Sequence, residues 1–380
     1  MESDSPGQMI LTGVPGKELD PETARIFRRV QPGAFILFGR NIETPTQLRR
    51  LIDDLRDLSA VEPVITIDQE GGRVSRLRLI GNEPPNAQQL REKGDLELIA
   101  RHGDITGRLL RLFGFNLDLC PVLDISFDDE ADNSLRGRCH GRTVAEVVRN
   151  AGAFNAAMRA QCIASCGKHF PGYSAATVDA HHDLPRIERT RDELDREELA
   201  VFRAFTGSGD SPNRHPSQDG NIVDSMMICH AWYPCFEPTE KPASLSKRVI
   251  TELLRDEMGF AGLIMTDDLD MGAILNEYSL VDTIRLAMEA GNDLAMICHR
   301  IEQIETVHRI LSELPREQIN RALQSVARFK QKLTPPDPFS EAAFHKIDDE
   351  IWDLRVAVLG ADRAAIRSPE DGRRSPVETY

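Results

Sequence analysis

Eight short apolar runs alternate with longer amphipathic stretches, and this rhythm limits the fold more than any other feature of the chain. The runs lie at 9–12, 34–38, 64–67, 116–120, 162–166, 225–229, 263–265 and 293–297. Helix-like segments fall near 21–31, 45–58, 95–113, 143–160, 192–205, 246–258, 279–290 and 301–313, with a further one near 317–332. Parallel strands need a crossover connection, and a helix usually supplies it. Eight strands with helices between them predict an α/β fold closed into a single TIM (β/α)8 barrel. A chain of 380 residues suits one such domain enlarged by insertions.

That domain is expected to span 1–366, with an extended insertion at about 206–221, TGSGDSPNRHPSQDGN, and a polar tail at 367–380. Both stretches are rich in turn formers and charge, and too little chain lies beyond either to build a second core.

Several runs end in a polar or special residue. Gly39-Arg40-Asn41 follows the second, Asp68 the third, Asp124 the fourth, Lys168-His169 the fifth, His230 the sixth and Asp267-Asp268 the seventh. In barrels the active site lies at the C-terminal ends of the strands. Solvated loop ends are polar too, so each residue alone says little, but the recurrence points to one convergent site. The densest stretch, CGKHFPGYSAATVDAHHDLP at 166–185, packs Lys168, His169, Asp179, His181, His182 and Asp183 into sixteen positions. So many titratable groups in a loop suit chemistry better than packing.

A formal charge of -15 and a pI near 5.2 argue against a nucleic-acid partner, which calls for a basic patch. The start, MESDSPGQMI, lacks the basic and apolar regions of a secretory signal, and no run reaches the ~18 apolar residues of a membrane span. Seven scattered cysteines, an odd number, read as buried free thiols in a reducing cytoplasm. Cys162 and Cys166 lack the second pair that a zinc site wants.

Asp267 is the first carboxylate past the seventh run, in Thr266-Asp267-Asp268-Leu269-Asp270, and is the choice for a nucleophile. Asp268 and Asp270 suit capping of the next helix. Asp68 can accept hydrogen bonds from adjacent hydroxyls, and Gly71-Gly72 lets backbone approach a ligand. Arg76 and Arg138 can offset these carboxylates or hold a ligand oxygen. Asp179 and His181, two apart, project to one side of an extended loop, where the carboxylate raises the imidazole pKa and orients it for proton transfer. His182 faces oppositely, and His169, at a strand end, reads as a fixed ligand contact.

Lys168-His169-Phe170-Pro171-Gly172 with Asp179-x-His181, Asp68-Gln69-Glu70-Gly71-Gly72-Arg73 and Thr266-Asp267-Asp268-Leu269 resemble the glycoside hydrolase family 3 barrel, in its β-N-acetylhexosaminidase branch. Pro121-Val122-Leu123-Asp124, His230-Ala231-Trp232-Tyr233-Pro234 and Pro242-Ala243-Ser244-Leu245-Ser246 extend the resemblance over roughly 9–300. It implies a retaining exo-β-N-acetylglucosaminidase acting on terminal β-linked N-acetylglucosamine, by family analogy from cell-wall fragments. Asp267 is then the nucleophile and His181 the acid and base, polarised by Asp179. Asp68, Arg76, Arg138, Lys168, His169 and His230 map to sugar contacts. No metal or organic cofactor is implied. The rivals are a phosphorylase, which a histidine acid permits electrostatically, a β-glucosidase of the same family, and a non-catalytic sugar binder, which would be expected to lose the nucleophile or the dyad.

The chain also departs from the family. Tyr173-Ser174 stands where relatives usually have His-Gly, a change expected to stiffen the loop carrying His181. Around Arg138, Arg-Cys-His-Gly replaces the common Arg-Ser-Phe-Gly.

Overall fold

The structure, a computed structural model, describes residues 4–130, 134–176, 180, 183–207 and 222–368. Residues 208–221 of the expected insertion and 369–380 of the expected tail lie outside these residues, as do Asp179, His181 and His182.

Eight parallel strands form the expected barrel: β1 Ile10–Gly13, β2 Ala34–Leu37, β3 Val64–Ile67, β4 Leu117–Asp118, β5 Ala164–Phe170, β6 Ser225–Ile228, β7 Leu263–Thr266 and β8 Ala295–Ile297. Each pairs with the next through β7. The ring closes because β8 pairs with β1, Ile10 opposite Ala295, and meets β7 through a bridge between Met265 and Leu294. Side chains alternate across the wall as strand periodicity requires. On β2, Ala34 and Ile36 join an inner cluster with Leu11, Val64, Leu117 and Met265, while Phe35 and Leu37 pack outward against the helices. Because both faces are buried, these strands read as continuous apolar runs.

The fifth run, placed at 162–166, is observed as a strand over 164–170, so Lys168 and His169 lie within it. Cys162 has φ 61, the left-handed turn that precedes the strand. Pairing with β6 shifts between Gly167 and Phe170, around cis peptide bonds at Lys168-His169 and Phe170-Pro171. Polar residues hide this strand end from hydropathy because they point to a site.

Other differences are local. The segment near 246–258 winds as a π-helix over Arg248–Glu257, and the one near 192–205 breaks at Glu197 into Arg191–Arg196 and Glu198–Phe205. A small antiparallel ribbon, Gln69–Gly71 with Val74–Ser75, follows β3. Its turn requires glycine, since Gly71 (φ 107) and Gly72 (φ 56) are left-handed and a Cβ on Gly71 would meet the Pro85 carbonyl at 2.4 Å. A helix at Glu341–Leu359, absent from the reading of the sequence, packs on the helix Leu96–Phe113, with the Phe344 and Phe113 rings 5.6 Å apart. All seven cysteines are free; five are buried, but Cys162 and Cys235 are exposed. Among the described residues no helix is long and apolar enough to cross a membrane.

Candidate active site

At the C-terminal end of the barrel, β3 delivers Asp68 and the ribbon beyond it delivers Glu70, two positions on. The Gln69 N–H donates to Asp118 Oδ1 at 3.0 Å, which fixes the ribbon against β4. Lys168, 1% exposed, reaches across from β5 with its Nζ 2.7 Å from both Asp68 Oδ1 and Glu70 Oε1. Arg138 donates to both Glu70 oxygens at 2.7 Å, and Arg76 approaches Asp68 Oδ2 at 3.5 Å.

Burial alone would raise these carboxyl groups, but the cations outweigh it. Lys168 and then Arg76 lower Asp68, while Arg138 and then Lys168 hold Glu70 well below the usual carboxylate range. Burial would likewise lower Lys168, yet Asp68 and Glu70 raise it. At neutral pH the network is therefore fully ionised, and Asp68 meets a ligand as a carboxylate already held in place.

Asp124, buried past β4, orients the next group. Its Oδ2 accepts from the His169 backbone N–H at 3.1 Å and lies 2.8 Å from His169 Nδ1, while Oδ1 accepts from the Tyr173 N–H at 2.7 Å. This leaves the far edge of the imidazole for the cleft. His230 uses both ring nitrogens within the protein. Nε2 donates to the Asp268 carbonyl at 2.8 Å, and Nδ1 lies 2.7 Å from Ser244 Oγ. It thereby holds the backbone beside Asp267.

Asp267 ends β7. Its N–H continues the ladder to the Ile228 carbonyl at 2.9 Å, and its Oδ1 accepts from the Asp268 N–H at 2.8 Å. Asp268 and Asp270 do not cap the following helix, Gly272–Leu275, whose N-cap is Met271. Instead they staple the β7 and β8 loops together. Asp268 Oδ1 accepts from the Cys298 N–H at 3.2 Å, and Asp270 Oδ2 from His299 and Arg300 N–H at 2.8 and 3.0 Å. Loop-to-loop bonds of this kind need the fold in hand.

Asp268, Cys298 and His299 bring oxygen, sulfur and nitrogen donors within 4.8 Å of one another, a set a divalent metal can use. Their hydrogen bonding does not suit a cation. Arg40, which can only donate, lies 3.1 Å from His299 Nδ1, so the ring hydrogen sits on Nε2, facing Asp268 Oδ2 at 3.3 Å. Burial also pushes the Cys298 thiol well above its ordinary value. Arg40, His299 and Asp268 instead form a relay of polar contacts, from the guanidinium through the imidazole to the carboxylate.

Asp68, Arg76, Arg138, Lys168, His169, His230 and Asp267 all line one cleft of about 760 Å3, counted out to its open mouth. Ala180, between Asp179 and His181 in sequence, lines the same cleft.

The sequence profile described as the glycosyl hydrolase family 3 N terminal domain matches residues 4–329. The chain belongs to glycosyl hydrolase family 3. The beta-hexosaminidase of Vibrio cholerae serotype O1 is 32% identical over 310 residues, 81% of this chain and 87% of that one. That of Pseudomonas aeruginosa is 31% identical over 293 residues, 76% of this chain and 82% of its own. Among solved structures, the family 3 beta-N-acetylglucosaminidase from Paenibacillus sp. str. FPU-7 has a TM-score of 0.82 at 30% identity, covering 93% of this chain and 68% of that one. This family 3 protein is thus a glycosidase, hydrolysing O-glycosyl bonds.

The sequence assigns no site role to Glu70, Tyr173 or His299, and marks Asp124 only as a polar strand end at the convergent face. The Asp68-x-Glu70 spacing carried a signal, since alternate residues of a strand share a side. The Tyr173-Ser174 departure is built into the local structure: Ser174 Oγ accepts from the Ile125 N–H at 2.9 Å and Tyr173 Oη from the Ala180 N–H at 3.0 Å. Cys139 and His140, the other departure, are buried away from the cleft, with the His140 ring 5.8 Å from that of Phe154.

Proposed function

We propose that the protein is a retaining exo-β-N-acetylglucosaminidase that removes terminal β-linked N-acetylglucosamine from glycans or cell-wall fragments. The observation that carries this reading is the placement of Asp267 in the same cleft as Asp68, whose carboxylate Lys168 holds from across the barrel. Asp267 attacks the anomeric carbon and forms a glycosyl-aspartate while the leaving oxygen takes a proton from His181, polarised by Asp179. His181 then takes a proton from a water whose oxygen bonds to the anomeric carbon and breaks the bond to Asp267, releasing the sugar with retained configuration and the free carboxylate. Asp68 accepts from ring hydroxyls, and Arg76, Arg138, Lys168, His169 and His230 surround the sugar as direct contacts or as supports of those contacts. The span 1–366 acts as one catalytic domain in the cytoplasm.

Release of nitrophenol from a β-N-acetylglucosaminide and from a β-glucoside, each with and without phosphate, tests this. Fast cleavage of the first alone, indifferent to phosphate, is expected. A phosphate-dependent rate yielding a sugar phosphate contradicts hydrolysis, and preference for the glucoside contradicts the substrate.

A further inference from the structure

Ala180 is the one described residue of the stretch 177–182, and its backbone is tied on both sides. Its N–H donates to Tyr173 Oη at 3.0 Å, and its carbonyl accepts from the Ala273 N–H at 3.0 Å. Both anchors are themselves fixed. The Tyr173 N–H donates to Asp124 Oδ1 at 2.7 Å, the carboxylate that also holds His169, and the Tyr173 and His169 rings lie 6.2 Å apart. Ala273 lies in the first turn of the short helix Gly272–Leu275, which follows the loop of Asp267. Ala180 is thus bonded at once to the end of β5 and to the segment following β7.

We infer that Tyr173 is a positioning residue whose hydroxyl pins the acid–base loop at Ala180. The inference rests on the reading of Asp179 and His181 as the acid–base pair. These residues are the sequence neighbours of Ala180, so a hold on its backbone acts one residue away from each. General acid catalysis demands such placement, because a proton passes only between groups within hydrogen-bond distance. Ala180 is 2% exposed, so water does not readily replace a lost partner on its N–H. A tyrosine does here what neither residue of a His-Gly pair does with the same geometry: its long rigid ring carries an acceptor from the strand end to the loop.

The test uses the full-length enzyme and two β-N-acetylglucosaminides, one with a poor alkyl leaving group and one with dinitrophenolate, which leaves without protonation. Tyr173→Phe keeps the ring and the backbone bond to Asp124 and removes the hydroxyl. Its kcat/KM is expected to fall about tenfold for the alkyl glycoside and less than twofold for the dinitrophenyl one, a selectivity that a general loss of stability would not give. Ala273→Pro, which removes the donor on the other side of Ala180, should give the same leaving-group-selective loss. Equal losses on both substrates, or none on either, overturn the role of Tyr173. His181→Ala, run in parallel, should lose roughly 10²–10⁴-fold on the alkyl glycoside alone. If it shows no leaving-group dependence, the reading of His181 fails and takes this inference with it. If it does and Tyr173→Phe does not, only the inference fails.

Discussion

The Nζ of Lys168 lies 2.7 Å from Oδ1 of Asp68, a hundred positions away in the chain. Glu70 and Arg138 extend that pair into a buried network in which every charge has an opposite at bonding distance. Removing one member leaves an uncompensated buried charge, which costs far more than the pair contributes when intact. Lys168→Met should therefore lose about 3–5 kcal/mol of stability, read as a lower urea midpoint. The double variant with Glu70→Gln should lose less than the sum of the two singles, because the residues share one network.

Asp118 stands beside that network without a cation bonded to it. Burial pushes its carboxyl up to about 8, with Gln69 and Lys168 opposing only in part, and its Oδ2 has no hydrogen-bond partner among the described residues. A carboxyl raised on folding stabilises fully below its unfolded value near 3.8 and loses that contribution as pH climbs through about 8. Asp118→Asn abolishes this dependence. The stability gap in favour of the variant should widen by about 2–3 kcal/mol between pH 6 and pH 9, and a constant gap across that range would show that Asp118 does not titrate there.

His102 and His140 face the opposite end of the pH scale. Burial lowers them to about 3 and about 4, His102 also feeling His140, and His140 feeling Glu70 and Arg91. Their rings pack on Phe154 at 5.1 and 5.8 Å, under the Gly71 turn. The unfolded chain takes up protons near pH 6.5 that the native core refuses, so stability falls as pH drops from 6.5 toward 4. His102→Phe should recover about 2 kcal/mol at pH 5 relative to pH 7, measured by urea unfolding at both values.

The relay from Arg40 through His299 to Asp268 leads to the residue whose N–H holds Asp267 Oδ1. His299→Leu should lower kcat about tenfold with little change in KM, while His299→Gln, which can accept from Arg40 and donate to Asp268, should restore it. Equal loss in both variants would assign the effect to ring shape and not to hydrogen bonding.

The barrel was legible because its strands are buried on both faces and so stand out as apolar runs between amphipathic helices. Asp68 and Asp267 are placed for the same reason, lying one and two positions past such runs. Lys168 and His169 were drawn just beyond a strand that in fact contains them, since hydropathy ends where side chains turn polar toward a site. The roles of Tyr173 and His299 were not readable. The partner of His299, Arg40, lies 259 positions away and reaches it only through the closed ring, and the bond from Ala180, seven positions on, to the Tyr173 hydroxyl has no mark in hydropathy or spacing. The helix at Glu341–Leu359 escaped because its apolar residues look outward from no strand and follow none of the eight repeats.

The central claim is that Asp267 bonds covalently to the sugar. Intact mass of the enzyme after incubation with a fluorinated N-acetylglucosamine analogue that slows release, followed by peptide mapping, tests it most directly. The account predicts a gain of one sugar located on Asp267 and absent from Asp267→Ala. A label on Asp268, or full wild-type turnover by Asp267→Ala, would contradict it.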